Sequence, residues 1–134
     1  MTSTRNEACT AEIVALHQLF ETWLGAPGQG DFTRFHAAFA PGFGMVMPSG
    51  VRLDRDGVLA FLQKARGVRG PGFRIAIEDV ATLHEAPGLA LMHYIERQWF
   101  GGQETARRAV ALFDTTATPP LWLFVQETWV TPPA

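Results

Sequence analysis

Glu96, Arg108 and Glu127 are the residues whose types and spacing could do chemistry together. Each sits in a run rich in β-branched and aromatic residues: "LALMHYIERQWF", "ETARRAVALFD" and "LWLFVQETWV". If these runs are adjacent antiparallel strands and the first reversal spans Gly101-Gly102-Gln103, Phe100 opposes Glu104, and counting back sets Glu96 opposite Arg108. A one-residue slip would set Glu96 opposite Arg107 instead. At the next reversal, Asp114 opposite Leu121 sets Arg108 opposite Glu127. The expected arrangement is therefore one guanidinium between two carboxylates on one sheet face. Such an arginine can orient both carboxylates, or hold an anionic or carbonyl group of a ligand in fork geometry. A carboxylate enclosed by apolar side chains has a raised pKa and can act as general acid or base. The plainer alternative is a cross-strand salt bridge, worth about 0.2–1 kcal/mol if exposed.

Alternation along the strands adds Met92, Tyr94 and Gln98, then Val110 and Leu112, then Leu123, Val125 and Trp129 to that face. An apolar wall with one charged cluster is the usual construction of a small-molecule site. Met47 alternates with Met45 on a shorter strand and suits an irregular cavity or a core equally. Trp23 closes a helical stripe near a loop, where it could line a cavity mouth or cap the core. His17 and His36 fall inside apolar helical stripes. Each must find a hydrogen-bond partner in the core or look into a polar cavity. No HExxH or HxH spacing, glycine-rich phosphate loop or CxxC motif is present, so neither a metal nor an organic cofactor is expected. The single cysteine, Cys9, has no basic neighbours to activate it.

The elements that must position these residues are legible. Ile13, Leu16, Phe20, Trp23 and Leu24 recur at helical spacing over 10–24, ended by Gly25 and Pro27. Asp31 suits the N-cap of a second helix, "FTRFHAAF", and Asp54 that of a third, with Val58, Leu59 and Leu62 on one side. Between them "FGMVM" reads as a short strand closed by Pro48-Ser49-Gly50. From residue 73 onward four long strand-like runs follow, separated by short turn signals, which predicts an antiparallel meander. The fold class is α+β, one domain over 1–134, with three N-terminal helices packed on a curved antiparallel sheet.

Two helices, then "FAPGFGMVMPSGVRLDRDGVLAFL", then four strands ending in "LWLFVQETWV" resemble the NTF2-like superfamily. The closer likeness is to its SnoaL-like and calcium/calmodulin-kinase association-domain-like bacterial members. The resemblance spans nearly the whole chain. It implies a cone-shaped cavity between sheet and helices, and a homodimer formed through the other sheet face. The fold hosts isomerases, dehydratases, cyclases, epoxide hydrolases and non-catalytic binding modules, so it does not choose a function. The epoxide-hydrolase branch holds a water with carboxylates and an arginine, an analogy in chemistry only.

The bulk properties bound the rest. The chain has 134 residues, net charge −2, ten Phe and four Trp. That balance gives no reason to expect nucleic acid or a membrane as partner. One cysteine and no apolar leader suit a cytoplasmic protein. The opposite sheet face, read as Leu91, His93, Ile95, Arg97 and Trp99 with Phe113, Trp122 and Phe124, is too apolar to be solvated, which again points to a homodimer; with the two faces exchanged, His93, Arg97, Arg107 and Gln126 become the polar groups of the pocket. The expected function is binding of an apolar small molecule through Trp23, Met47, Tyr94, Glu96, Arg108, Glu127 and Trp129. The alternative is a cofactor-independent acid–base enzyme, of isomerase, cyclase or hydrolase type, on an apolar carbonyl or polyketide-like substrate.

Overall fold

α1 (Thr4–Gly25) is longer than its apolar stripe alone requires. In the computed structural model, which describes residues 4–26 and 30–134, it lays Cys9, Ile13, Leu16 and Trp23 against a six-stranded sheet. Its predicted stop at Pro27 lies outside the described residues. Its last carbonyls are met from elsewhere: the amides of Gly67 and Arg69 donate to Trp23 O and Leu24 O at 2.9 and 2.8 Å. α2 (Phe32–Ala38) starts at Asp31, whose carboxylate accepts from the Thr33 amide. α3 (Arg55–Lys64) starts at Asp54, which accepts from the Gly57 amide at 2.8 Å and buries Val58, Leu59 and Leu62 as the stripe predicts.

The helices are one long and two short, and they are not all N-terminal. β1 (Phe39–Val46) and β2 (Arg52–Asp54) precede α3. β3 (Arg74–Ala86), β4 (Leu89–Phe100), β5 (Gln103–Asp114) and β6 (Leu121–Thr131) form the antiparallel meander. The sheet order is β2-β1-β6-β5-β4-β3, and β1 lies parallel to β6. The sheet is thus mixed rather than wholly antiparallel: β1 reaches β6 after the whole meander, so no hairpin fixes their relative direction. Register shifts on β3, around an Asp79 held at φ 52°, give that strand its bends.

The β4–β5 reversal decides which side chains share a face. Gly101 and Gly102 both have positive φ, 56° and 76°, and form a two-residue turn with Phe100 opposite Gln103. Two consecutive positive φ values are what a type I′ hairpin turn requires, and glycine supplies them without strain. The turn is one residue shorter than the three-residue reversal predicted. Glu96 therefore opposes Arg107, and Arg108 opposes Ile95 on the other face. Ala109, Ala111 and Phe113 turn inward and are fully buried, whereas Val110 and Leu112 turn outward. On β6 a bulge between the Phe113–Trp122 and Leu112–Phe124 pairs brings both Trp122 and Val125 inward, displacing Leu123 from the inner face.

Candidate functional site

The inner face of the sheet, α1 and α3 enclose a cavity of about 630 Å³. Phe20 of α1, Val58 of α3, Phe39, Phe43 and Met45 of β1, and Trp122, Val125 and Trp129 of β6 line it. His17, Tyr94, Glu96, Gln98, Arg107 and Glu127 supply its polar groups. At its mouth stand the exposed side chains of Phe61, Lys64, Val68 and Arg69.

The polar groups are ordered by the fold. One turn up α1, Ile13 O accepts from His17 Nδ1 at 2.7 Å. His17 Nε2 lies 3.1 Å from Glu96 Oε1 on β4. The ring is held edge-on between Phe20 and Tyr94, at 5.2 and 5.3 Å between centroids. Glu96 Oε2 accepts from Gln98 Nε2, two residues along the same face. The Ile13 carbonyl can only accept, so Nδ1 carries a proton; with the Glu96 carboxyl held low and the His17 pKa raised, the pair is imidazolium and carboxylate. Across β5, Arg107 Nη1 lies 3.4 Å from Glu127 Oε1, and the guanidinium stacks over Trp129 at 4.8 Å.

Glu96 and Glu127 are 5 % and 8 % exposed, yet their environments part them. Burial opposes ionisation of Glu96, but the charge and hydrogen bond of His17 outweigh it and hold the carboxyl down at about 2. Burial, then the charge of Glu96, push Glu127 up to about 7. Burial alone would lower the pKa of the His17 imidazole, but the same Glu96 carboxylate outweighs it and raises the pKa. Burial raises Tyr94 well above the usual phenol range, so its hydroxyl keeps its proton and can donate. Two carboxylates with pKa values driven apart are the arrangement from which acid and base roles are made.

Of the residues expected at a site, Met47, Tyr94, Glu96, Glu127 and Trp129 lie on the cavity wall. Trp23 does not: it is buried beneath, its Nε1 donating to Leu62 O at 2.7 Å and its ring covered by Arg66. Arg108 does not either. It is exposed on the outer face, 2.6 Å from His93 Nε2, because the two-residue turn reverses the side on which it emerges. Arg107 takes the place between the carboxylates. His36 is exposed and packs edge-on to Phe32. Among the described residues no group of three His, Cys, Asp or Glu side chains could hold a metal ion.

No family model matches the chain, and no curated protein does. Solved structures do. An NTF-2 like protein of unknown function from Pseudomonas aeruginosa superposes with TM-score 0.83 at 28 % identity, over 91 % of this chain and 98 % of that one. The fold is NTF2-like. An NTF2-like protein from Cytophaga hutchinsonii matches with TM-score 0.73 at 8 % identity, over 96 % of this chain and all of that one. The S. rosetta CaMKII hub matches with TM-score 0.77 at 10 % identity, over 97 % and 100 %. At such identities these last two speak for the fold alone. No described helix of this NTF2-like chain is long and apolar enough to cross a membrane.

Sequence reasoning kept Arg107 only as the alternative of a one-residue slip, and missed Arg69, Lys64 and Trp122 as cavity residues. For Arg107 the signal was present, since Gly-Gly is a two-residue hairpin sequence. For Trp122 nothing in the pattern announces the bulge that turns it inward. Arg69 lies in an irregular segment whose packing no periodicity reports.

Proposed function

We propose that the cavity binds a largely apolar small molecule carrying a carbonyl or comparable polar group, and that Glu127 moves a proton on it. One observation carries this reading: two buried carboxylates converge on one apolar cavity, and only one of them is fully engaged. Glu96 has both oxygens occupied by His17 and Gln98 and serves as a fixed anion. Among the described residues Glu127 has only the 3.4 Å contact to Arg107, and its pKa is pushed up to about 7. A base with a pKa near the working pH is the most effective. It would take a proton from the carbon beside a carbonyl and return it from the carboxylic acid. Protonated Tyr94 stands on the same wall to donate to the developing oxyanion.

A second reading, a binding module without chemistry, is favoured by the closure of the His17–Glu96–Gln98 chain. Every partner there is satisfied inside the fold, as in a purely structural network. Deuterium exchange separates the two. A panel of apolar ketones is incubated with the protein in heavy water, and exchange beside the carbonyl is followed by NMR. Exchange that disappears in Glu127→Gln supports proton transfer. Ketones that bind but exchange no faster than with the variant leave the binding module. On either reading a second copy of the chain covers the outer sheet face, where Leu89, Phe124 and Val130 are exposed.

A further inference from the structure

The cavity carries more positive charge than its two carboxylates use. His17, Lys64, Arg69 and Arg107 face it, against Glu96 and Glu127, in a chain whose net charge is −2. His17 is committed to Glu96, and Arg107 to the diagonal contact with Glu127. Arg107 Nε is nevertheless buried without a hydrogen-bond partner. A buried donor left unpaired costs about 1–3 kcal/mol unless something occupies it.

Arg69 is the second unused donor set. Its backbone is fixed by the 2.8 Å bond to Leu24 O, so the side chain is projected from a pinned position. The guanidinium stacks on Phe100 at 4.0 Å and has no carboxylate within salt-bridge distance among the described residues. Its pKa is lowered by burial and then by the neighbouring charge of Arg107, so the two guanidiniums repel one another. Two like charges on the wall of one cavity, one with an orphaned N–H, are destabilising without an anion and complementary to one. The plainer account of Arg69, a cation near the C-terminus of α1, explains its position but not the orphaned Arg107 Nε.

We infer that the ligand is an amphipathic carboxylate whose anionic group is held at the mouth by Arg69 and Arg107, with its apolar body inside against Phe20, Phe43, Val58 and Val125. The inference rests on the cavity's being a ligand site and adds the charge of the ligand to it. Carboxylate fits this pair because a planar guanidinium presents paired donors that match its two oxygens. Lys64 adds a third cation to the approach without needing fixed geometry. An apolar tail alone would use none of these groups.

Calorimetric titration with dodecanoate, dodecanol and dodecylamine tests it. Dodecanoate is expected to bind at least ten-fold tighter than dodecanol, and dodecylamine weakest. Arg69→Gln is expected to reduce dodecanoate affinity about ten-fold and leave dodecanol unchanged. Raising the salt concentration should weaken dodecanoate alone. If Arg69→Gln weakens acid and alcohol equally, Arg69 is only holding α1 and the inference fails. Equal affinity of acid and alcohol for the native chain overturns the charge assignment while the cavity reading stands. Binding of none of the three overturns both.

Discussion

Replacing Glu127 by Gln should make the protein more stable, and only at high pH. The carboxyl's ordinary pKa of 4.5 is raised to about 7 in the folded chain. A carboxylate with a raised folded-state pKa binds its proton longer in the folded than in the unfolded chain. Stability therefore falls as pH rises from about 4.5 to about 7 and is level beyond. A tenfold change in proton affinity is worth about 1.4 kcal/mol, so the ionised group costs the native state about 3 kcal/mol at pH 8. The raised pKa already includes the favourable charge of Arg107, so the cost is net of the contact that a glutamine would weaken. Glutamine has the shape of the protonated acid and stays neutral. Glu127→Gln is expected to gain about 2–3 kcal/mol at pH 8 and less than about 0.5 kcal/mol at pH 5. For a chain of this length that is a rise in Tm of roughly 10 °C at the higher pH. Thermal melts of both proteins across pH 5 to 8 measure it. Melting curves that run parallel over that range would refute the reasoning, because Glu127 would then titrate as it does in the unfolded chain. A gain in stability together with lost deuterium exchange would mark Glu127 as a group kept for its chemistry at the expense of the fold.

Arg107→Met should cost about 3 kcal/mol at pH 8, where Glu127 is ionised, and clearly less at pH 5, because protonation removes the charge left unpaired; Arg108→Met should cost less than about 1 kcal/mol at either pH. Denaturant melts of the two variants compare them directly, and equal losses would return Arg108 to the site. Cys9 is fully buried, with burial, then the charges of Glu85 and Glu12, pushing its thiol up to about 11. A thiol reagent at pH 8 should therefore modify it only as fast as the chain opens, and rapid labelling of the native protein would contradict that packing. Phe124→Asp places a charge at the centre of the outer sheet face; sedimentation should show the native chain as a dimer and the variant as a monomer, and a native chain already monomeric at micromolar concentration removes the second copy.

The order of elements was legible because it rests on local chemistry. Asp31 and Asp54 cap helices at the predicted positions, and Val58, Leu59 and Leu62 fall on a buried side, because a cap and a helical stripe are fixed by neighbours a few residues away. The four long strands were legible from their β-branched and aromatic runs. Their pairing was not, because a sheet face has a period of two and one residue of turn length exchanges inside for outside. The assumption of a three-residue reversal moved Arg107 and Arg108 to each other's faces, and Val110 and Leu112 with them. Glu96, Tyr94 and Gln98 were placed correctly, since all three lie on the strand from which the face was counted. His17 was recognised as out of place in an apolar stripe, and the two fates open to it turned out to coincide: it is hydrogen-bonded within the core and also borders the cavity. Glu12 escaped notice in the same stripe, although it is buried and accepts from Trp122 Nε1 at 2.9 Å. The parallel pairing of β1 with β6 has no local signal, because those strands meet only after the whole meander is laid down.

A fold whose interior holds an opening of about 630 Å³ is unfinished as a solid. Any molecule seated there restores contacts that the chain's own side chains leave unmade, and so stabilises the folded form over the unfolded one. At a concentration one hundred times its dissociation constant, a single bound ligand adds about 2.7 kcal/mol. In a cell, where chains that open are removed by proteolysis, a change of that size alters abundance several-fold. With a ligand seated as proposed, the amount of this protein present would follow the supply of that molecule, and accumulation of the protein would be a gauge of it.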